Sequence, residues 1–209
     1  MKPVLPILLG LLSLLPTAGS AAEGYRVYES TAASVNGEVL FVSDVVREAC
    51  FLRCAAMPGT GEATLSLREA RDHLILDTLA LQEQRKLLLG AVDNVMLEGY
   101  AVEAESRMAV CSSPCKREIA PGETREWIRR KLLLRDFFNR RVAVFVDVKS
   151  ADVRKEVARR SSSPGDDANP NWKEVRQEML DAQIAEEIRN WQTRAASKSR
   201  TILSPMEDR

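Results

Sequence analysis

The apolar positions of this chain change their period along its length, and each change marks an element. Around Asn36-Gly37, apolar side chains alternate on both sides. Alternation suits half-buried strands, and Asn-Gly tolerates the positive φ angles of a type I′ turn, so a small β-hairpin is expected. Ser43 stands where a helix N-cap belongs, with a hydroxyl able to accept an orphan backbone N–H. A short amphipathic helix follows to about Ala55. From Leu67 to Leu89 the helical period is strongest: Leu67, Ala70, Leu74, Thr78, Leu81 and Leu88 fall on one repeat. Ile75, Leu76, Leu79 and Leu87 lie on neighbouring faces, which predicts a central helix buried on more than one side. Gly90 suits its stop.

A third helix is expected from Val92 to about Met108, with Val95, Tyr100 and Val102 among its apolar positions. Pro121-Gly122-Glu123 opens a fourth, running to about Arg141 through Trp127, Ile128, Leu132, Leu134 and Phe138. Residues 142–148 read as extended, and Ser150 caps a short helix that includes Val153 and Val157. Residues 161–170, SSSPGDDANP, hold no large apolar residue and read as a flexible linker. A last long helix spans about 171–195, striped by Leu180, Ile184, Ile188 and Trp191, with Trp172, Val175 and Met179 beside them. The tail 200–204 reads as a short strand before Pro205. No internal repeat is evident.

The first 22 residues carry one charge at Lys2, an apolar run from Val4 to Leu15, Pro16, and small residues through Ala22. That order is expected of a cleavable secretory signal, the other reading being an uncleaved N-terminal anchor. The run is shorter than the roughly 20 residues that span a bilayer, and no later segment is long and apolar enough. With 30 basic and 30 acidic residues, no charge bias recruits nucleic acid. Aromatics at 5% and only 10 glycines favour helices over a β-sandwich.

The stretch ASVNGEVLFVSD, residues 33–44, resembles the opening of the SurA-type periplasmic chaperones, whose N-terminal domain begins with a similar V-N-G/N-x-V-hydrophobic-x-S-D phrase. Leu79-Ala80-Leu81-Gln82-Glu83-Gln84 is similar to that family's leucine-rich second helix. Residues 127–135, WIRRKLLLR, resemble its basic helix ending in paired arginines, here Arg140-Arg141. The helix after Val148 fits the next element, and residues 196–204 resemble the C-terminal strand. The resemblance implies a mostly α fold: a helical domain over 23–160, completed by the helix and strand of 171–209, with that strand joining the hairpin. Family members often carry parvulin-type prolyl isomerase domains before the last helix. Here that place holds only residues 161–170, and a folded domain rarely has fewer than about 50 residues. No isomerase activity is therefore expected.

The four cysteines form two Cys-x-x-x-Cys pairs, Cys50 with Cys54 and Cys111 with Cys115. In an exported chain an even count points to disulfides. If the second pair lies on an antiparallel neighbour, Cys50–Cys115 and Cys54–Cys111 make a two-rung ladder. Pro114 cannot sit inside a regular helix, which leaves the pairing open. A four-cysteine zinc site is disfavoured by the spacing, and a redox dithiol by the lack of Cys-x-x-Cys. His73 is the only histidine and reads as structural. No phosphate loop, triad or metal set is suggested, so no cofactor and no catalysis are expected. Arg125, Arg129, Arg130, Lys131 and Arg135 make the fourth helix basic, which reads as a solvated face, the alternative being attraction to anionic lipid or an acidic partner. Met96, Tyr100, Met108, Phe137 and Phe138 form an apolar surplus; most are expected in the core, and any left exposed suit the binding of varied clients.

The function implied by the resemblance is periplasmic: a chaperone binding unfolded envelope or outer-membrane proteins without bond chemistry. The alternative is a dedicated assembly or secretion partner that grips one protein.

Overall fold

Asn36 and Gly37 take φ angles of 52° and 92°, both left-handed, and close a tight turn between β1 (Thr31–Val35) and β2 (Glu38–Phe41). The computed structural model describes residues 29–55, 65–88, 90, 92–161 and 171–206. The expected signal segment and all of the expected linker but Ser161 lie outside the described residues. A third strand, β3 (Thr201–Leu203), pairs antiparallel with β1, Ser34 opposite Ile202, giving the sheet order β2-β1-β3. Asn36 locks this arrangement. Its Oδ1 accepts the Arg200 backbone N–H at 2.9 Å, and its Nδ2 donates to Gln82 Oε1 at 2.8 Å.

Among the described residues the fold is mostly helical, with six α-helices and this small sheet. The first is α1 (Val42–Cys54). Ser43 lies inside its first turn rather than at the cap. The cap lies two residues earlier, at Phe41, because Phe41 N–H donates to Asp44 Oδ2 at 2.9 Å, the reverse half of a capping box. The second, α2 (Leu67–Lys86), has the full box: Ser66 Oγ accepts from Glu69 N–H, and Glu69 Oε2 accepts from Ser66 N–H. It ends at Lys86, short of Leu89. Leu88 and Gly90, with φ angles of 51° and 92°, both turn left-handed there. Asp93 caps α3 (Asn94–Val110), accepting from Val95 N–H at 2.8 Å. Gly122, at φ 87°, leads into α4 (Glu123–Arg141).

The expected extended segment of 142–148 is replaced by a turn over 142–145, and the chain becomes extended only at Val146. A 3-10 turn at Ala143–Phe145 continues from α4, with Val142 N–H donating to Phe138 O and Phe145 N–H to Val142 O. Among the described residues no strand runs alongside to satisfy an extended backbone, so local hydrogen bonds take over. Two helices complete the chain, α5 (Ser150–Ser161) and the 27-residue α6 (Trp172–Lys198).

The core has distinct patches. Phe51, Leu97, Ala104, Met108, Trp127 and Ile128 fill the space between α1, α3 and α4, with Phe51 stacked on Trp127 at 5.1 Å. Val35, Leu40, Val45, Leu74 and Leu79 join the sheet to α1 and α2. Ala80, Leu134 and Phe137 pack against Phe138 and Trp191, which draws α6 onto α2 and α4. Only Val175 of α6 is buried, so this helix is a thinly covered outer wall.

Candidate functional site

Two covalent rungs fix one end of the domain. Cys50 pairs with Cys115 and Cys54 with Cys111, at Cα separations of 5.7 and 5.5 Å. Cys50 and Cys54 share one face of α1 because a spacing of four is about one helical turn. Their partners do not lie on a facing helix. Cys111 follows the last residue of α3, and Cys115 sits in a 3-10 turn, Pro114–Glu118. Pro114 opens that turn, where its missing N–H breaks no bond.

Beside the ladder lies a buried ionic cluster that sequence reading did not find. Glu48 on α1 is fully buried. Its Oε2 accepts from Trp127 Nε1 at 2.9 Å and from Arg130 at 2.5 Å, and its Oε1 accepts from Lys131 Nζ at 2.7 Å. Lys131 also reaches Asp77 Oδ2 of α2 at 2.6 Å. His73 Nδ1 stands 3.3 Å from Glu48 Oε1 and 3.7 Å from Asp77 Oδ2, bonded to neither in a good hydrogen-bond geometry. Burial alone would push the Glu48 carboxyl up. His73 and the charges of Lys131 and Arg130 outweigh it and hold the group well below the usual carboxylate range. The carboxyl oxygens of Glu48, the Asp77 carboxylate and His73 Nδ1 are close enough to hold a metal, but the Lys131 ammonium already lies between the two acids. With both Glu48 oxygens engaged by fixed donors, the cluster ties α1, α2 and α4 together. A sequence signal existed: Glu48 occupies a core-facing position of α1 between Val45 and Phe51, and Trp127 and Lys131 are spaced four apart.

A groove of about 670 Å³ lies between α2, the Ala143–Phe145 turn and α6. Its apolar lining includes buried Leu79 and Val142 and half-buried Trp191, while Phe145 is 76% exposed at its rim. Arg141, Arg194 and Lys198 stand around it, together with the acids Glu83, Asp147 and Glu187. A second cleft, of about 750 Å³, opens over Glu48 between Arg47, Gly122 and Arg130.

The apolar residues singled out from sequence scatter across the fold. Met108 and Phe137 are buried in separate core patches and are not free to meet a partner. Tyr100 is half-buried beneath Arg135, whose guanidinium lies 5.1 Å from its ring. Phe138 is half-buried and packs edge-to-face on Trp191 at 5.4 Å. Met96 is exposed. No single surface gathers the five, and Phe145, the most exposed aromatic side chain among the described residues, was not among them. No known protein family and no curated protein matches this chain.

Proposed function

We propose that the chain is an exported, non-catalytic chaperone of SurA N-terminal type that holds unfolded or partly folded envelope proteins in the periplasm. The observation that carries this reading is the groove along α6: the apolar side chains of Leu79, Val142, Trp191 and Phe145 stand among its polar lining, and its mouth is open. Such a surface buries a client's apolar side chain reversibly, at roughly 25 cal/mol for each Å² removed from water. Neither ATP nor bond chemistry is required. Two disulfides suit an oxidising compartment, and no helix among the described residues is long and apolar enough to cross a membrane.

The test is aggregation of an unfolded outer-membrane β-barrel protein, followed by light scattering, in the presence of the oxidised mature protein. Suppression near one-to-one, repeated with an unrelated unfolded client, supports the holdase. No suppression of either client by folded protein defeats it. A dedicated partner is the second reading, favoured by the outer face of α3, where Val95 and Val102 are exposed two turns apart around Gly99. A stable one-to-one complex with a single envelope protein would support that reading instead.

A further inference from the structure

The groove carries more chemistry than an apolar holdase needs. Arg141 comes from the end of α4, and Arg194 and Lys198 from adjacent turns near the end of α6. Most other charges in the groove are already answered: Lys86 pairs with Glu83 at 3.8 Å, and Asp147 faces Arg176 at 3.7 Å. Among the described residues, no carboxylate pairs with the side chain of Arg141, Arg194 or Lys198, and Glu187 is the one groove acid without an ion pair. Helix dipoles favour cations at helix C-termini, but they do not require two helix ends to converge on one aromatic-walled groove.

We propose that this groove anchors its ligand through a carboxylate, taking an extended protein segment in which an acidic residue stands beside an aromatic or large aliphatic one. The inference rests on the holdase reading and names the client chemistry that reading leaves open. The apolar side chain is buried against Trp191, Phe145 and Val142, and the carboxylate meets guanidinium and ammonium donors from two helices. Arg presents a planar fork that suits a carboxylate, whereas Lys adds a compact charge. Glu187, one turn before Trp191 on the α6 wall, opposes a second acid, so one carboxylate per segment is the preferred load.

The experiment is fluorescence anisotropy with the oxidised mature protein and two short labelled peptides, end-blocked and identical except for Glu or Gln beside a single Trp. The Glu peptide is expected to bind about tenfold more tightly at low salt, since each exposed ion pair is worth only up to a few-fold in affinity. That advantage should vanish in the Arg194→Glu/Lys198→Glu variant and in about 1 M salt, where charges are screened beyond about 3 Å. Arg154→Glu/Lys155→Glu on α5 is the charge-matched control and should keep the preference. The proposal is overturned if both peptides bind equally, if the double variant keeps the preference, or if vesicles of phosphatidylglycerol are bound while neither peptide is. The unfolded-barrel assay on the same preparations separates the two claims. Full suppression without any Glu preference removes the carboxylate anchor and leaves the holdase standing, whereas loss of suppression in the unaltered protein removes both.

Discussion

Lys131 Nζ on α4 sits 2.7 Å from the fully buried Glu48 carboxylate of α1 and 2.6 Å from the Asp77 carboxylate of α2. One ammonium thus holds three helices by two charge-assisted bonds. Glu48→Ala removes the anion and leaves Lys131, Arg130 and the Trp127 N–H facing a void. Breaking a buried pair from one side typically costs about 3–5 kcal/mol, so urea denaturation should show a loss of that order. Lys131→Met should cost a similar amount, because Glu48 and Asp77 both lose the ammonium that joins them. A loss below about 1 kcal/mol for both variants would show that the cluster is peripheral to stability.

The same carboxylate sets a pH dependence with a definite sign. In the unfolded chain Glu48 protonates near 4.5, while in the fold it protonates at a much lower pH because, although burial opposes it, His73, Lys131 and Arg130 favour the anion. Its contribution is therefore fully present above the unfolded value and is lost as pH falls through the folded one. Unaltered protein should lose stability between about pH 5 and pH 3 more steeply than Glu48→Gln does. The gap between the two in urea midpoint should narrow with acid. A gap independent of pH would mean that Glu48 does not titrate differently in the fold.

The disulfide ladder predicts a particular proteolytic product. Trypsin cuts after Arg47, Arg53, Arg68, Arg107 and Lys116 and places Cys50, Cys54 and the Cys111/Cys115 pair on three separate peptides. The ladder joins all three into one species that reduction separates, whereas local Cys50–Cys54 and Cys111–Cys115 bridges would release the third as a peptide closed on itself. Mass spectrometry of the unreduced digest decides between them. The bridges span 65 and 57 residues. In the chain-entropy model a loop of that size contributes about 4 kcal/mol, and the second rung adds less because the first already holds the ends together. Reduction should therefore lower the thermal midpoint markedly, and most of the loss should come with the second rung broken.

How much of this was legible in the sequence varied with the kind of interaction. The hairpin was, because Asn36-Gly37 has few other conformational uses. The helices were, because their apolar stripes repeat over several turns. End points were missed where local backbone geometry decided them: Asp44 caps through Phe41 N–H and displaces Ser43, and α2 ends at Lys86, ahead of left-handed Leu88. The extended reading of 142–148 failed over 142–145 because apolar β-branched residues alone do not provide a partner strand. The ionic cluster was hidden for a different reason. Glu48 is one acid among 30, and its cations belong to a helix that by itself looks like a solvated basic face. Only when α1 packs on α4 do Arg130 and Lys131 turn inward. The groove likewise depends on α6 returning across the N-terminal helices, a contact between segments more than a hundred residues apart.

Two phenylalanines separate the roles of core and groove. Phe137 is fully buried, with its ring 5.2 Å from both Phe138 and Trp191. Phe137→Ala should cost about 3–5 kcal/mol, the usual range for emptying a buried aromatic site, and α6 should loosen because Trp191 loses its packing partner. Phe145 is 76% exposed at the groove rim, so Phe145→Ala should change stability by no more than about 0.5 kcal/mol. Its effect should fall on binding: aggregation suppression weakens while the thermal midpoint holds. Measuring both quantities for both variants gives a crossed pattern, with stability lost in one and holding lost in the other. If Phe145→Ala keeps full suppression, the client surface lies elsewhere and the outer face of α3 becomes the next to test. If it instead lowers the thermal midpoint as Phe137→Ala does, the Ala143–Phe145 turn is part of the core and the groove is shallower than its lining implies.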